Sequence, residues 1–139
     1  MVVAAFVLVT FAAVSAAFHA IQRAMAETAA AAGVQIAASG SPTDPGKPNL
    51  TGPEAFTVTQ GLLQSVAFGT TIAPGAAQQP CPGVDQIGQG RLLVCTFQDG
   101  ALVGETIRGH PGFPVPWITQ FLPWSIDVTV EMHQVSYQP

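Results

Sequence analysis

The first twenty positions, MVVAAFVLVTFAAVSAAFHA, contain no charged side chain, and Thr10, Ser15 and His19 are their only polar side chains. A run of about 20 apolar residues is what a helix needs to cross the hydrocarbon core of a bilayer. Thr and Ser do not forbid insertion, because their hydroxyls can bond the backbone one turn earlier. Past Ala20 the pattern stays helical: Ile21, Met25, Ala29, Ala32 and Ile36 recur at helical spacing while Arg23 and Glu27 share another face. Gly40 supplies a C-terminal stop, and Pro42 and Pro45 prevent the helix from resuming. One helix is therefore predicted over 1–39. At 1.5 Å per residue it is a rod of roughly 55–60 Å, about twice the hydrocarbon thickness, so half would lie in lipid and half outside.

The rest of the chain changes character. Ser39 to Thr51 collects Pro, Gly, Ser, Asp and Asn, the composition of a linker, placed at 40–52. Thr51-Gly52-Pro53-Glu54 reads as a helix start, and Phe56, Leu62, Leu63, Val66 and Ala67 give an apolar face up to Gly69, although the β-branched Thr57, Val58 and Thr59 work against a helix. Arg91–Gln98 and Ala101–Arg108 flank Asp99-Gly100, a strong hairpin signal. Leu93, Cys95 and Phe97 share one face of the first of these strands. Gly109 to Trp124 is too rich in Pro and aromatics for a regular strand, and a helical turn is possible around Ile118 to Leu122. Ser125 to Met132 alternates, with Ile126, Val128, Val130 and Met132 on one side and Asp127, Thr129 and Glu131 on the other. Beyond His133 the phase slips, which predicts a bulge near Gln134. The fold class is α+β: a long N-terminal helix, apolar in its first half, then a short helix and a small antiparallel β-sheet, with the domain at 53–139.

Composition narrows the setting. Only 9% of the 139 residues are charged, which points to a membrane, a filament interior or a large partner surface. Four Lys/Arg against eight Asp/Glu, with no basic run, leave nothing to grip a phosphate backbone, so nucleic acid is excluded as a partner. Cys81 and Cys95 are separated by a loop rich in Gly and Pro. A bridge closing a loop of about 15 residues would contribute roughly 3 kcal/mol; the alternative is two unrelated buried thiols. His19, His110 and His133 lack the spacing of a zinc site. No nucleophile elbow, Cys/His signature or phosphate-binding glycine loop is present, and Asp127 and Glu131 read as a solvated strand face rather than a catalytic pair. No catalytic residue, cofactor, metal or small-molecule substrate is expected.

Small residues at Ala4, Ala5, Ala12, Ala13, Ala16, Ala17 and Ala20 let helix backbones approach closely. A cleavable secretory signal is the competing reading of this segment, since Val14-Ser15-Ala16 is permissive for cleavage, but no basic residue precedes the apolar run. The expectation is instead that Met1 follows removal of a basic leader. The apolar helix continuing as an Ala-rich one (AFVLVTFAAVSAAFHAIQRAMAETAAAAGVQIAASG), followed by a small domain with an alternating terminal strand (ITQFLPWSIDVTVEMHQVSYQP), resembles the TadE-like minor pilins of tight-adherence pilus systems. The likeness covers both ends of the chain and is architectural. Type IV pilin-like families generally carry a glutamate near the mature start, where this chain has Ala5.

The resemblance implies a structural subunit that sits in the membrane before assembly and then polymerises with copies of itself, and with other pilins, into an extracellular filament. The helix residues expected to make that filament core are Phe6, Val7, Val9, Phe11, Val14, Phe18, Ile21 and Met25. The rival class is a single-pass anchor carrying an extracytoplasmic binding or accessory module. Trp117, Phe121 and Trp124 would be its docking surface; otherwise they are core aromatics.

Overall fold

The computed structural model describes residues 1–39, 52–66, 69–76, 80–100, 102–113 and 124–133. Helix α1 spans Val2–Ser39, 38 residues without a proline and with Gly33 as its one glycine. Thr10 and Thr28 donate their hydroxyls to the carbonyls of Phe6 and Ala24, at 2.9 and 3.0 Å, so neither interrupts it. Arg23 and Glu27 form an exposed pair at 3.4 Å across one turn.

Helix α2 spans Gly52–Gln64, with Glu54 in its first turn. It ends short of the expected Gly69. The Ser65 hydroxyl donates to the Leu62 carbonyl at 2.8 Å, and Val66 N–H reaches back only three residues, to Leu63 at 3.1 Å. These bonds tighten and close the last turn, and Gly69, at φ 63°, redirects the chain.

Four strands follow: β1 (Thr71–Pro74), β2 (Arg91–Asp99), β3 (Leu102–His110) and β4 (Ile126–His133), in spatial order β1-β2-β3-β4. The sheet is mixed. The β2–β3 and β3–β4 pairs are antiparallel, as the hairpin and the alternating terminal strand predicted, but β1 runs parallel to β2. Four residues ending in proline show no readable alternation, and Pro74, with no N–H, is tolerated because β1 is at the sheet edge. At the hairpin, Asp99 pairs with Leu102, and Gly100 takes φ 59°, the left-handed value that a two-residue turn demands.

Strand alternation sorts the sheet into two faces. Leu92, Val94, Ile107, Ile126 and Val128 pack against Ala26, Ala29 and Ala30 of α1 and Leu63 of α2, with Phe56, Leu62, Ile72 and Val130 around them. Ala37, Ala55 and Val103 make a smaller cluster nearby. Ile126, Val128, Val130 and Met132 therefore face inward as their alternation predicted, although Val130 and Met132 are only half-buried. The helix-covered face of β2 is the one opposite Leu93, Cys95 and Phe97.

That second face has its own cover. Cys81 and Cys95 are disulfide-bonded. Arg108 donates from Nη1 to the carbonyls of Cys81 and Pro82 at 3.3 and 3.2 Å, and from Nε to Asp127 at 2.9 Å. His110 Nε2 lies 3.2 Å from the carbonyl of Val84, in a short 3-10 turn at Val84–Gln86. Asp127 thus belongs to a structural ion pair. Gln134 and the residues after it, and the segment Ile118 to Leu122, fall outside the described residues.

Candidate functional site: the N-terminal helix and its junction with the sheet

Helix α1 divides into two stretches with different surroundings. From Met1 to Val14 every side chain is exposed; Phe6 and Val9 stand at 71% and 69% of full exposure. Among the residues expected to make an assembly helix, Phe6, Val7, Val9, Phe11, Val14 and Ile21 are exposed, whereas Phe18 and Met25 are half-buried. By length and composition this helix is long and apolar enough to cross a membrane. The disulfide fits an oxidising, extracytoplasmic compartment for the domain.

Between the two stretches lies an aromatic collar. The rings of Phe18 and Phe113 meet edge to face at 4.9 Å, His19 lies against Trp124 at 4.7 Å, and Phe113 meets Trp124 at 6.3 Å. Trp124 is half-buried and packs on α1; Trp117 and Phe121 lie outside the described residues. One turn beyond, the buried Gln22 donates from Nε2 to the carbonyl of Gly112 at 3.1 Å and lies 3.4 Å from that of Val66. Within the collar, Ser15 Oγ and His19 Nδ1 are buried with no hydrogen-bond partner among the described residues.

Below the collar α1 docks on the domain through Gln22, Ala26, Ala29, Ala30, Gly33, Val34 and Ala37. The residues that recur at helical spacing, Ile21, Met25, Ala29, Ala32 and Ile36, lie about one residue round from this seam: Ile21 is exposed, and Met25, Ala32 and Ile36 are half-buried. Small side chains win the contact because they let the helix backbone come close to the sheet and to α2, which Ile and Met would prevent.

A close approach occurs at Gly33. A Cβ there would strike Glu105 Oε2 and Thr59 Oγ1 and would lie 2.7 Å from Glu105 Oε1. Glu105, from β3, is 0% exposed in the helix-covered layer, beside Thr96 of β2 and Val130 of β4. Thr59 of α2 is equally buried; its Oγ1 lies 2.6 Å from Glu105 Oε1 and 3.3 Å from the carbonyl of Ala29 on α1. Glu105 Oε2 has no hydrogen-bond partner among the described residues. Burial pushes the Glu105 carboxyl up to about 7 from its ordinary 4.5, and the Thr59 hydrogen bond opposes only part of that. Sequence reading passed over this group, although a signal was available: in Val103-Gly104-Glu105-Thr106-Ile107 the acid shares the parity of two buried aliphatic residues.

Among the described residues no group of three or more His, Cys, Asp or Glu could hold a metal ion. No protein-family model, no curated protein and no solved structure matches the chain.

Proposed function

We propose that the chain is a structural, pilin-like subunit. Its helix α1 packs against the α1 helices of other copies in the core of an extracellular filament, with the disulfide-bonded domain facing outward, and it rests in the membrane before assembly. The observation that carries this reading is the division of α1 into a bare apolar stretch, Met1 to Val14, and a docked stretch from Gln22 onward. One continuous helix then serves as the shared core element and as the spine of the domain. The bare stretch presents Phe6, Val7, Leu8 and Val9 all around the helix. Withdrawing such surface from water contributes roughly 25 cal/mol per Å², which a lipid bilayer or a bundle of like helices supplies. The resemblance to TadE-like pilins supports the bundle.

Cryo-electron microscopy of material sheared from producing cells, with intact mass spectrometry of the same sample, tests the proposal. Helical filaments with residues 1–39 at the core are the expected outcome. A water-soluble, monodisperse full-length monomer would refute it. Single copies found only in detergent-extracted membranes would favour the anchored accessory module, and attention would pass to its partner.

A further inference from the structure

The junction of α1, α2 and β3 contains more acceptors than protons if Glu105 is ionised. A hydroxyl has one proton, yet Thr59 Oγ1 is within reach of both Glu105 Oε1, at 2.6 Å, and the carbonyl of Ala29, at 3.3 Å. With a carboxylate, the one Thr59 proton serves Oε1 and leaves Oε2 without a donor in a fully buried space, while the Ala29 carbonyl keeps its own donor within α1, the Gly33 N–H. With a carboxylic acid the chain closes: Glu105 donates to Thr59, and Thr59 donates to Ala29. The remaining oxygen, Oε2, is then a neutral carbonyl rather than half of a buried anion, and its lack of a partner is far less costly.

We propose that Glu105, Thr59 and Gly33 form a proton-operated latch: the neutral carboxyl keeps α1 and α2 seated on the sheet, and its ionisation loosens that junction. The geometry couples three elements through one proton, since the carboxyl comes from β3, its hydroxyl partner from α2 and the terminal acceptor from α1. Gly33 is what allows the carboxyl to lie against the α1 backbone.

No charge among the described residues compensates an ionised Glu105. On α1, Arg23 and Glu27 pair with each other in solvent. On α2 the only charged residue is Glu54, and it is exposed. On β2, Arg91 and Asp99 are exposed at the strand ends and, with Arg108 and His110 of β3, have the parity of the disulfide face. On β4, Asp127, Glu131 and His133 pair opposite Arg108, Gly104 and Leu102, again with that parity. The latch answers to Glu105 alone, and it operates whether or not the chain polymerises. The raised carboxyl, at about 7, puts its working range near neutrality.

The test uses the full chain in detergent micelles. Hydrogen exchange, corrected for the intrinsic effect of pH, is followed for amides in 26–37, 55–64 and 102–110 at pH 5 and pH 8. Protection in these segments is expected to fall on the order of 100-fold at the higher pH, and Glu105→Gln, neutral at both values, is expected to abolish the difference. The same pH dependence in Glu105→Gln, or its absence in the unaltered chain, would overturn the proposal. Should Glu105→Gln fail to fold, the unaltered protein still decides: in carbon-13-labelled glutamate spectra assigned through the backbone, Glu105 titrates near neutrality if the latch exists. Titration at the ordinary carboxylate value refutes it.

Discussion

Replacing Gly33 by alanine sets two effects of opposite sign against each other. Helix propensity favours the change by about 1 kcal/mol, because alanine gives up less backbone freedom than glycine in a helix interior. The junction opposes it. The new Cβ would occupy the space of Glu105 Oε2 and Thr59 Oγ1 and come within 2.7 Å of Oε1. Both side chains are fully buried, and the carboxyl has β3 behind it, so there is no solvent into which they can swing. Overpacking costs typically 1–3 kcal/mol. Parting Thr59 from Glu105 while both stay buried costs about 1–3 kcal/mol more. The net expectation is a destabilisation of roughly 2–3 kcal/mol, measured by urea unfolding of the domain in mild detergent.

The double variant Gly33→Ala with Glu105→Ala separates the causes. Removing the carboxyl makes room for the new methyl group, so the two substitutions should compensate each other by about 2 kcal/mol in a double-mutant cycle. If Gly33→Ala stabilises the protein by the propensity term alone, or if the cycle shows no coupling, the close approach of α1 to this carboxyl is refuted.

The same carboxyl predicts a pH dependence of stability. Its proton is held more tightly in the folded state, at about 7, than at the ordinary 4.5, so between these values the folded protein binds more protons than the unfolded chain. Its contribution is then fully present below about 4.5 and is lost as pH rises to about 7; at 1.36 kcal/mol per pH unit it amounts to about 3 kcal/mol. Urea midpoints measured across that interval should decline, and those of Glu105→Gln should lack this component. Replacing Cys81 and Cys95 together by serine should cost about 3 kcal/mol, read from the same urea curves, because it frees a closed loop with a sequence separation of 14. Arg108→Ala should speed reduction of the disulfide by added thiol, because Arg108 holds the carbonyls of Cys81 and Pro82 over the sheet. Arg108→Lys should not restore protection, since an ammonium group does not reproduce the planar fork that also engages Asp127.

Long-range periodicity and turn chemistry made much of this fold legible. The uncharged first twenty residues, the stop at Gly40 and the Asp99-Gly100 turn locate α1 and the β2–β3 hairpin, and alternation from Ile126 locates β4 and its inward face. What escaped is what depends on partners distant in sequence. β1 exists because Thr71 N–H and Gly75 N–H bond the carbonyls of Gly90 and Val94 at 2.8 Å, not because TIAP has a pattern. The docking stripe of α1 was not legible, because spacing weights large apolar residues, whereas the seam is chosen by how closely the backbone can approach. Glu105 drew no reading, since what raises its carboxyl is burial beneath α1 and α2, elements distant from it in sequence.

These escapes have one physical root, which also bears on assembly. A helix that must be greasy all round in one stretch and closely docked in another cannot advertise both functions by hydrophobicity. In α1 the bare stretch carries bulky residues such as Phe6, Leu8 and Phe11, while the docked stretch is dominated by alanine, with Gly33 lying close against Glu105 and Thr59. Side-chain size, together with the first charges at Arg23 and Glu27, marks where the bare stretch ends and the docked stretch begins. A substitution of Ala26, Ala29 or Ala30 by leucine would then disturb the seating of the domain while raising the hydrophobicity that membrane insertion depends on. Insertion and docking would respond in opposite directions, so measuring both on one such variant distinguishes a helix shared between two environments from one that is merely apolar throughout.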